Sequence, residues 1–179
     1  MGRRATAAGR RPLCAAGAFV GPVLDAGCGS GENALAIAAR GLEVVGVDVA
    51  PTAIRQAREK AAARGIAATF LVADALRLDR LGRTFPSVLD CGLFHTFDDD
   101  ERAAYVESVG AVTKPGSVLH LLCVSDLAPG DQGPRRISRS DLRASFGAGW
   151  KVVSIEADRV ETNFDPSGLP AWLSRIERT

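Results

Sequence analysis

Histidine and cysteine are too few and too scattered in this chain to build a metal framework. The two histidines, His95 and His120, and the four cysteines, Cys14, Cys28, Cys91 and Cys123, form no C-x-x-C pair and no cluster at zinc spacing. Nor do they suggest a disulfide scaffold, which fits a reducing, cytoplasmic setting. Long apolar runs are missing too, since uncharged stretches such as residues 117–125 fall far short of the roughly 20 residues that cross a bilayer. Neither sign of charge dominates. With 22 basic and 21 acidic residues the net charge is +1, so no general field draws the chain to nucleic acid or anionic lipid. The partner to expect is a small molecule bound locally, with no metal, no membrane and no nucleic acid.

What is present is an average globular composition, 46% hydrophobic and 24% charged over 179 residues. That is one domain's worth of chain, since domains mostly run to roughly 100–200 residues. Residues 1–11 carry four arginines and no acid, without the amphipathic period of a transit peptide or the apolar core of a secretion signal. Residues 1–21 are read as a loose N-terminal arm or partial lid, and residues 22–179 as the folded domain.

From Pro22 onward, short β-branched runs alternate with helical stretches, the pattern of a parallel sheet wound by crossover helices. Strands are expected at 23–26, 43–49, 69–73, 87–94, 117–124 and 150–160. Helices are expected at 32–40, at 52–64 between Pro51 and Gly65, from the acidic run 98–101 through Val109, and from Ser138 or Ser140 to Phe146. Residues 165–170 read as turn-rich, and 171–178 fit either a last strand or a short helix.

Between the first strand and helix lies Val23-Leu24-Asp25-Ala26-Gly27-Cys28-Gly29-Ser30-Gly31. Alternating glycines let a backbone turn sharply off a strand, bring its N–H groups near a ligand and let the next helix pack close. Two ligand classes compete for such a loop. Gly29-x-Gly31-x-x-Ala34, with Asp48 19 residues after Gly29, also satisfies the spacing of a dinucleotide site, which would make the chain an NAD(P)-dependent oxidoreductase. Asp25 argues otherwise, because a carboxylate repels a pyrophosphate and attracts an ammonium or its ordered water. Asp48 can then accept ribose hydroxyls, and Asp74 at the next strand end can take an adenine amino group. Together the three acids describe S-adenosylmethionine.

The first motif, continued through Glu32-Asn33-Ala34, together with Val45-Gly46-Val47-Asp48 and Val72-Ala73-Asp74-Ala75, resembles the class I S-adenosylmethionine-dependent methyltransferases. The resemblance covers about residues 23–178. It implies a Rossmann-like, doubly wound α/β fold: a mostly parallel seven-stranded sheet with helices on both faces and one reversed strand near the end, which would make 171–176 a strand. It also implies that Gly27, Gly29 and Gly31 line the cofactor with Cys28 and Asn33 beside them, that Asp48 and Val49 meet the ribose side, and that Asp74 with Ala75 meets the adenine. The runs Asp90-Cys91-Gly92-Leu93-Phe94-His95-Thr96-Phe97-Asp98-Asp99 and Gly133-Pro134-Arg135-Arg136-Ile137-Ser138 resemble a small-molecule branch related to the thiopurine, halide/thiol and bacterial heterocycle methyltransferases. Members of that branch carry a longer leading segment that folds over the cofactor. Residues 1–21 hold only one aromatic, Phe19, so a cofactor-binding protein without turnover stands as an alternative.

The expected activity is methyl transfer to O, N or S of a small aromatic or soft acceptor. Such transfer is promoted mostly by alignment and exclusion of water. His95, just past the fourth strand, is the candidate base or substrate contact, against a passive packing role. Asp90 either bonds the cofactor ammonium or orients a loop. Phe94 and Phe97 either wall the acceptor or belong to the core. Arg136 either pairs with an anionic substrate group or sits on a solvated face.

Overall fold

The computed structural model describes residues 17–130, 133–160 and 168–179. Seven strands form one sheet in the order β3-β2-β1-β4-β5-β7-β6. They are β1 (Val23–Ala26), β2 (Val44–Asp48), β3 (Thr69–Val72), β4 (Ser87–Cys91), β5 (Val118–Val124), β6 (Trp150–Val160) and β7 (Leu169–Arg178). Only β7 runs against its neighbours; it pairs antiparallel with both β5 and β6. The helices α1 (Glu32–Ala38), α2 (Pro51–Arg64), α3 (Asp99–Ala111) and α4 (Arg139–Ser145) complete the α/β winding.

Local chemistry sets the boundaries. Pro51 opens α2 at its first turn, where its missing N–H has no partner to lose, and Gly65 closes it in a left-handed conformation with φ 64°. Asp98 and Glu101 form a reciprocal capping box at the start of α3, and Ser138 and Asp141 do the same for α4. Of the two serines proposed for that cap, Ser138 makes it.

Two expectations are corrected and one open reading is resolved. The fourth strand stops at Cys91 rather than Phe94, because Gly92 takes φ 93° and the Asp90 carboxylate accepts the N–H groups of Leu93 and Phe94, turning the chain into a short 3-10 segment at Phe94–Thr96. The ambiguous last segment is a strand, and it begins at Leu169, so the tail of the expected turn at 165–170 belongs to the sheet. Residues 165–167 lie outside the described residues.

The sheet separates two apolar layers. Leu24, Ala26 and Val88 pack with Phe94, Tyr105 and Val109 on the α3 side, whereas Val23 and Leu89 pack with Leu35, Ile54 and Phe70 on the α1–α2 side. Of the expected N-terminal arm, residues 1–16 lie outside the described residues. Phe19 is buried against the ring of His120 at 4.8 Å, and the Val20 N–H and C=O both bond Ser87 Oγ, at 2.9 and 2.7 Å. These contacts sit at the amino edge of the sheet, where β4 begins.

Gly46, mid-strand in β2, shows how closely the α1–α2 layer is packed. A Cβ there would lie 2.8 Å from a ring carbon of Phe70 and 2.9 Å from Cys28 Sγ. Gly46→Ala should therefore cost about 1–3 kcal/mol through overpacking. Urea unfolding should show a lower midpoint at unchanged slope; an unchanged midpoint would mean that Phe70 and Cys28 move aside freely.

Candidate functional site

In an open parallel sheet the crevice outside the carboxyl ends of the strands, where strand order reverses, is the natural ligand site. Here β1 is followed in space by β2 on one side and β4 on the other, and the glycine loop leaves the sheet at that point. Gly27, Gly29 and Gly31 all have positive φ, at 71°, 52° and 83°, a region that side chains disfavour. Their surroundings differ. A Cβ on Gly31 would strike Ala57 at 2.8 Å and Phe70 at 2.9 Å, and one on Gly27 would press on Leu93 at 3.0 Å, while Gly29 faces open space. Gly31 and Gly27 thus let the loop settle onto its neighbours, and Gly29 is the one that presents bare backbone outward.

Asp48, at the end of β2, holds this loop in shape. Its carboxylate accepts the Gly29 N–H at 2.9 Å and the Ala50 N–H at 2.9 Å, and each oxygen retains a lone pair for a ligand hydroxyl. From below, Lys60 on α2 donates to the Ser30 carbonyl at 3.1 Å and hydroxyl at 2.6 Å, and it pairs with Glu32 at 2.9 Å. Arg64 forks onto both Glu32 oxygens at 3.0 Å. These partners hold the Glu32 carboxyl down at about 2. Sequence reasoning missed this clamp, although a basic pair four residues apart on one helix face was there to be read.

The other expected cofactor residues border the same edge. Val49 is 65% exposed beside Asp48. Asp74 caps the turn after β3 by accepting the Leu76 N–H at 2.9 Å, with Ala75 buried beneath it. Asn33 is half-buried on α1, and Cys28 is buried with its thiol pKa raised by burial. The two inner acids are sealed. The register aligns Asp25 with Leu89 and Ala26 with Asp90, so the carboxylates project to opposite faces of the sheet.

Asp90 is satisfied by loop amides, as described, and burial lifts its carboxyl to about 6. Asp25 is not satisfied: it is 1% exposed, its Oδ2 has no hydrogen-bond partner, and burial followed by the charge of Asp90 pushes it up to about 7. A buried carboxylate oxygen without a donor is costly. An ammonium or ordered water near the glycine loop would supply the missing donor. The orphaned oxygen and the open face of Gly29 are what an adenosyl amino acid requires, so the residues present fit S-adenosylmethionine.

The acceptor side is more divided than the sequence suggests. His95 is 7% exposed and its Nδ1 accepts the Val124 N–H at 3.1 Å. Burial, then the charge of Arg136, takes its imidazole down to about 4. Phe97 is half-buried against Tyr105 at 5.3 Å. Phe94, expected as part of an aromatic wall, is fully buried among Tyr105, Phe146 and the guanidinium of Arg102, so it lies behind the site as core. Arg136, expected to meet an anionic group, directs donors to the carbonyls of Ala128, Pro129, Gly130 and Pro134, stapling the loop after β5. A cavity of about 780 Å³ opens at the other end of the sheet, against Leu42, Val44, Ile66 and Thr69. It lies at the amino ends of β2 and β3, away from all of these groups.

This sheet order, reversed strand and acid-ringed glycine loop define a class I S-adenosylmethionine-dependent methyltransferase domain. A family model described as methyltransferase domain matches residues 23–116, and the chain belongs to that family. It is 37% identical over 148 residues to a 2-heptyl-1-hydroxyquinolin-4(1H)-one methyltransferase of Mycobacteroides abscessus, covering 81% of this chain and 65% of that protein. A solved structure described as "Conversion of a Disulfide Bond into a Thioacetal Group during Echinomycin Biosynthesis" superposes with a TM-score of 0.80 at 39% identity, over 89% of this chain and 76% of that one. A SAM-dependent methyltransferase from Methanosarcina mazei shares the fold at a TM-score of 0.76 and 20% identity, over 87% and 91%. None of these matches supports an NAD(P)-dependent oxidoreductase.

The unpartnered Asp25 makes stability depend on pH. An unfolded aspartate ionises near 4, whereas folded Asp25 keeps its proton to about 7. The native chain therefore holds more protons across that window, and stability falls as pH rises from about 4 to about 7. Asp25→Asn should remove this contribution, leaving that of Asp90 below about pH 6 against the opposite one of His95, whose folded imidazole stays neutral down to about 4, and should raise the Tm of the ligand-free protein in mildly alkaline buffer. Melting curves across this pH range check it; an unaltered slope would remove Asp25 as its source.

Proposed function

We propose that this chain transfers a methyl group from S-adenosylmethionine to O, N or S of a small aromatic or soft acceptor. The observation that carries the reading is the pairing of an orphaned buried Asp25 carboxylate with an outward-facing Gly29 backbone at the switch point of the sheet. When bound, S-adenosylmethionine supplies an electrophilic methyl on a sulfonium, to which the acceptor lone pair bonds as the S–CH3 pair returns to sulfur.

The chain's own residues bind, orient and exclude. Asp25 attracts the ammonium end. Asp48, already braced by two backbone amides, accepts the ribose hydroxyls, and Asp74 and Ala75 lie along the same edge for the adenine. Asp90 draws the turn at 92–97 inward and so places His95 and Phe97 over the carboxyl end of β4. The neighbouring loop is held by Arg136 and by Arg135, which donates its N–H to the His95 carbonyl at 3.2 Å.

The relative's name points to a hydroxylated heteroaromatic ring as the acceptor class, and the half-buried Phe97 ring and 65%-exposed Leu127 suit a flat, partly apolar molecule. Because the chain spans 65% of that relative's length, the acceptor is proposed at this level of class. No helix among the described residues is long and apolar enough to cross a membrane, and a small-molecule acceptor is in keeping with that.

Asp48→Ala should weaken S-adenosylhomocysteine binding by about 1.5–3 kcal/mol, the scale of hydrogen bonds to a charged group. Calorimetric titration measures it. Unchanged affinity in a folded variant would take Asp48 out of the site, and binding of NADH in place of S-adenosylhomocysteine would overturn the reading.

A further inference from the structure

The transfer described above needs a nucleophile, and a nucleophile that arrives protonated needs a base. Asp25, Asp90 and Tyr105 are sealed, at 1%, 0% and 0% exposure. Asp48 and Asp74 already hold backbone amides and serve the cofactor side. Asp126 accepts the indole N–H of Trp172 at 3.1 Å. Cys28 and Cys123 are buried thiols, and Cys91, half-buried at the end of β4, packs against the α1–α2 layer, on the face of the sheet opposite Asp90. Among the described residues, His95 is left as the ionisable group best placed over the carboxyl end of β4.

Its geometry does not suit a base. Nδ1 spends its lone pair on the Val124 N–H, which places the ring proton on Nε2. Nε2 makes no hydrogen bond among the described residues and is not one of the buried atoms lacking a partner. The Cε1–Nε2 edge of the ring is turned toward Gly92, where a Cβ would lie 3.5 Å from Cε1 and 3.9 Å from Nε2. With φ 93° and no side chain, Gly92 adds no atoms over that edge at the end of β4. The surrounding elements carry Asp90 on β4, Arg102 and Tyr105 on α3, Cys123 on β5 and Arg135 and Arg136 in the next loop; Arg136 is the charge that acts on the ring, and it disfavours imidazolium.

We infer that the acceptor is one that reaches the site already ionised, and that His95 receives it as a hydrogen-bond donor through Nε2–H rather than taking its proton. This rests on the methyl-transfer reading. The acceptor class narrows to acidic phenols, N-hydroxy heteroaromatics and thiols, whose proton is lost to solvent before binding. Aliphatic alcohols are excluded. His95 is thereby a specificity-determining contact.

The test uses the full chain with ring-15N histidine and S-adenosylhomocysteine, then a graded series of phenols from 4-methoxyphenol to 4-nitrophenol. Nitrogen shifts should report a neutral Nε2–H tautomer of His95 at neutral pH, and 4-nitrophenol should bind with the absorbance of its phenolate. With S-adenosylmethionine, the midpoint of kcat/KM against pH should move with the ionisation of each phenol. His95→Leu should lose about 10- to 100-fold in kcat/KM, and His95→Gln, which keeps an amide N–H near the Nε2 position but cannot act as a base, markedly less. An Nδ1–H tautomer, a midpoint fixed across the series, or a Gln variant as impaired as the Leu variant would each overturn the inference while S-adenosylhomocysteine still bound. Failure of S-adenosylhomocysteine to bind would overturn the methyl-transfer reading and this inference with it.

Discussion

A buried carboxylate with one unpartnered oxygen is the constraint around which this site is organised. Asp25 sits at the centre of the sheet, at the carboxyl end of β1, with one oxygen that no donor reaches. Folding around such a group is unfavourable unless the group is neutral or a cation is nearby. The rest of the site is organised around that demand. Gly27 and Gly31 let the loop wrap tightly beside it, Asp48 fixes the loop from β2, and the Lys60–Glu32–Arg64 clamp fixes it from α2. A ligand bringing an ammonium to this point gains what the ligand-free protein lacks.

The two inner acids illustrate how neighbouring positions in one sheet acquire different tasks. Asp90 faces the α3 layer and finds loop amides, so it becomes a structural anchor that shapes the turn carrying His95 and Phe97. Asp25 faces the α1 layer and finds too few donors, so it remains available to a ligand. Period-two alternation along the strands, and nothing in residue chemistry, separates the two.

Most of the strand and helix order was legible in the sequence because it is local. Pro51, Gly65 and the capping boxes mark ends that neighbours in sequence enforce, and the glycine loop names a ligand class once the charge of Asp25 is set beside the spacing it shares with a dinucleotide site. What was not legible depends on contacts far apart in sequence. Phe94 reads equally as wall or core until Tyr105, Phe146 and Arg102 close over it. Arg136 reads as a free cation until the carbonyls of its own loop are seen to converge on it. The end of β4 was misjudged because an apolar run continues through Phe94, while the turn is imposed by a buried carboxylate that sequence pattern does not reveal. The last strand stayed ambiguous because one of its two partners, β5, lies about 50 residues upstream, and its length and direction are set by that pairing as much as by β6.

The central claim is that this cleft recognises an adenosyl amino acid through its ammonium end. Calorimetry comparing S-adenosylhomocysteine with 5′-methylthioadenosine, which shares the nucleoside and lacks the amino acid, tests it most directly. The account predicts that the homocysteine compound binds about 10- to 100-fold more tightly, the scale of a hydrogen bond to a charged group, and that the difference collapses in Asp25→Asn. Equal affinities, or a difference untouched by that substitution, would contradict it.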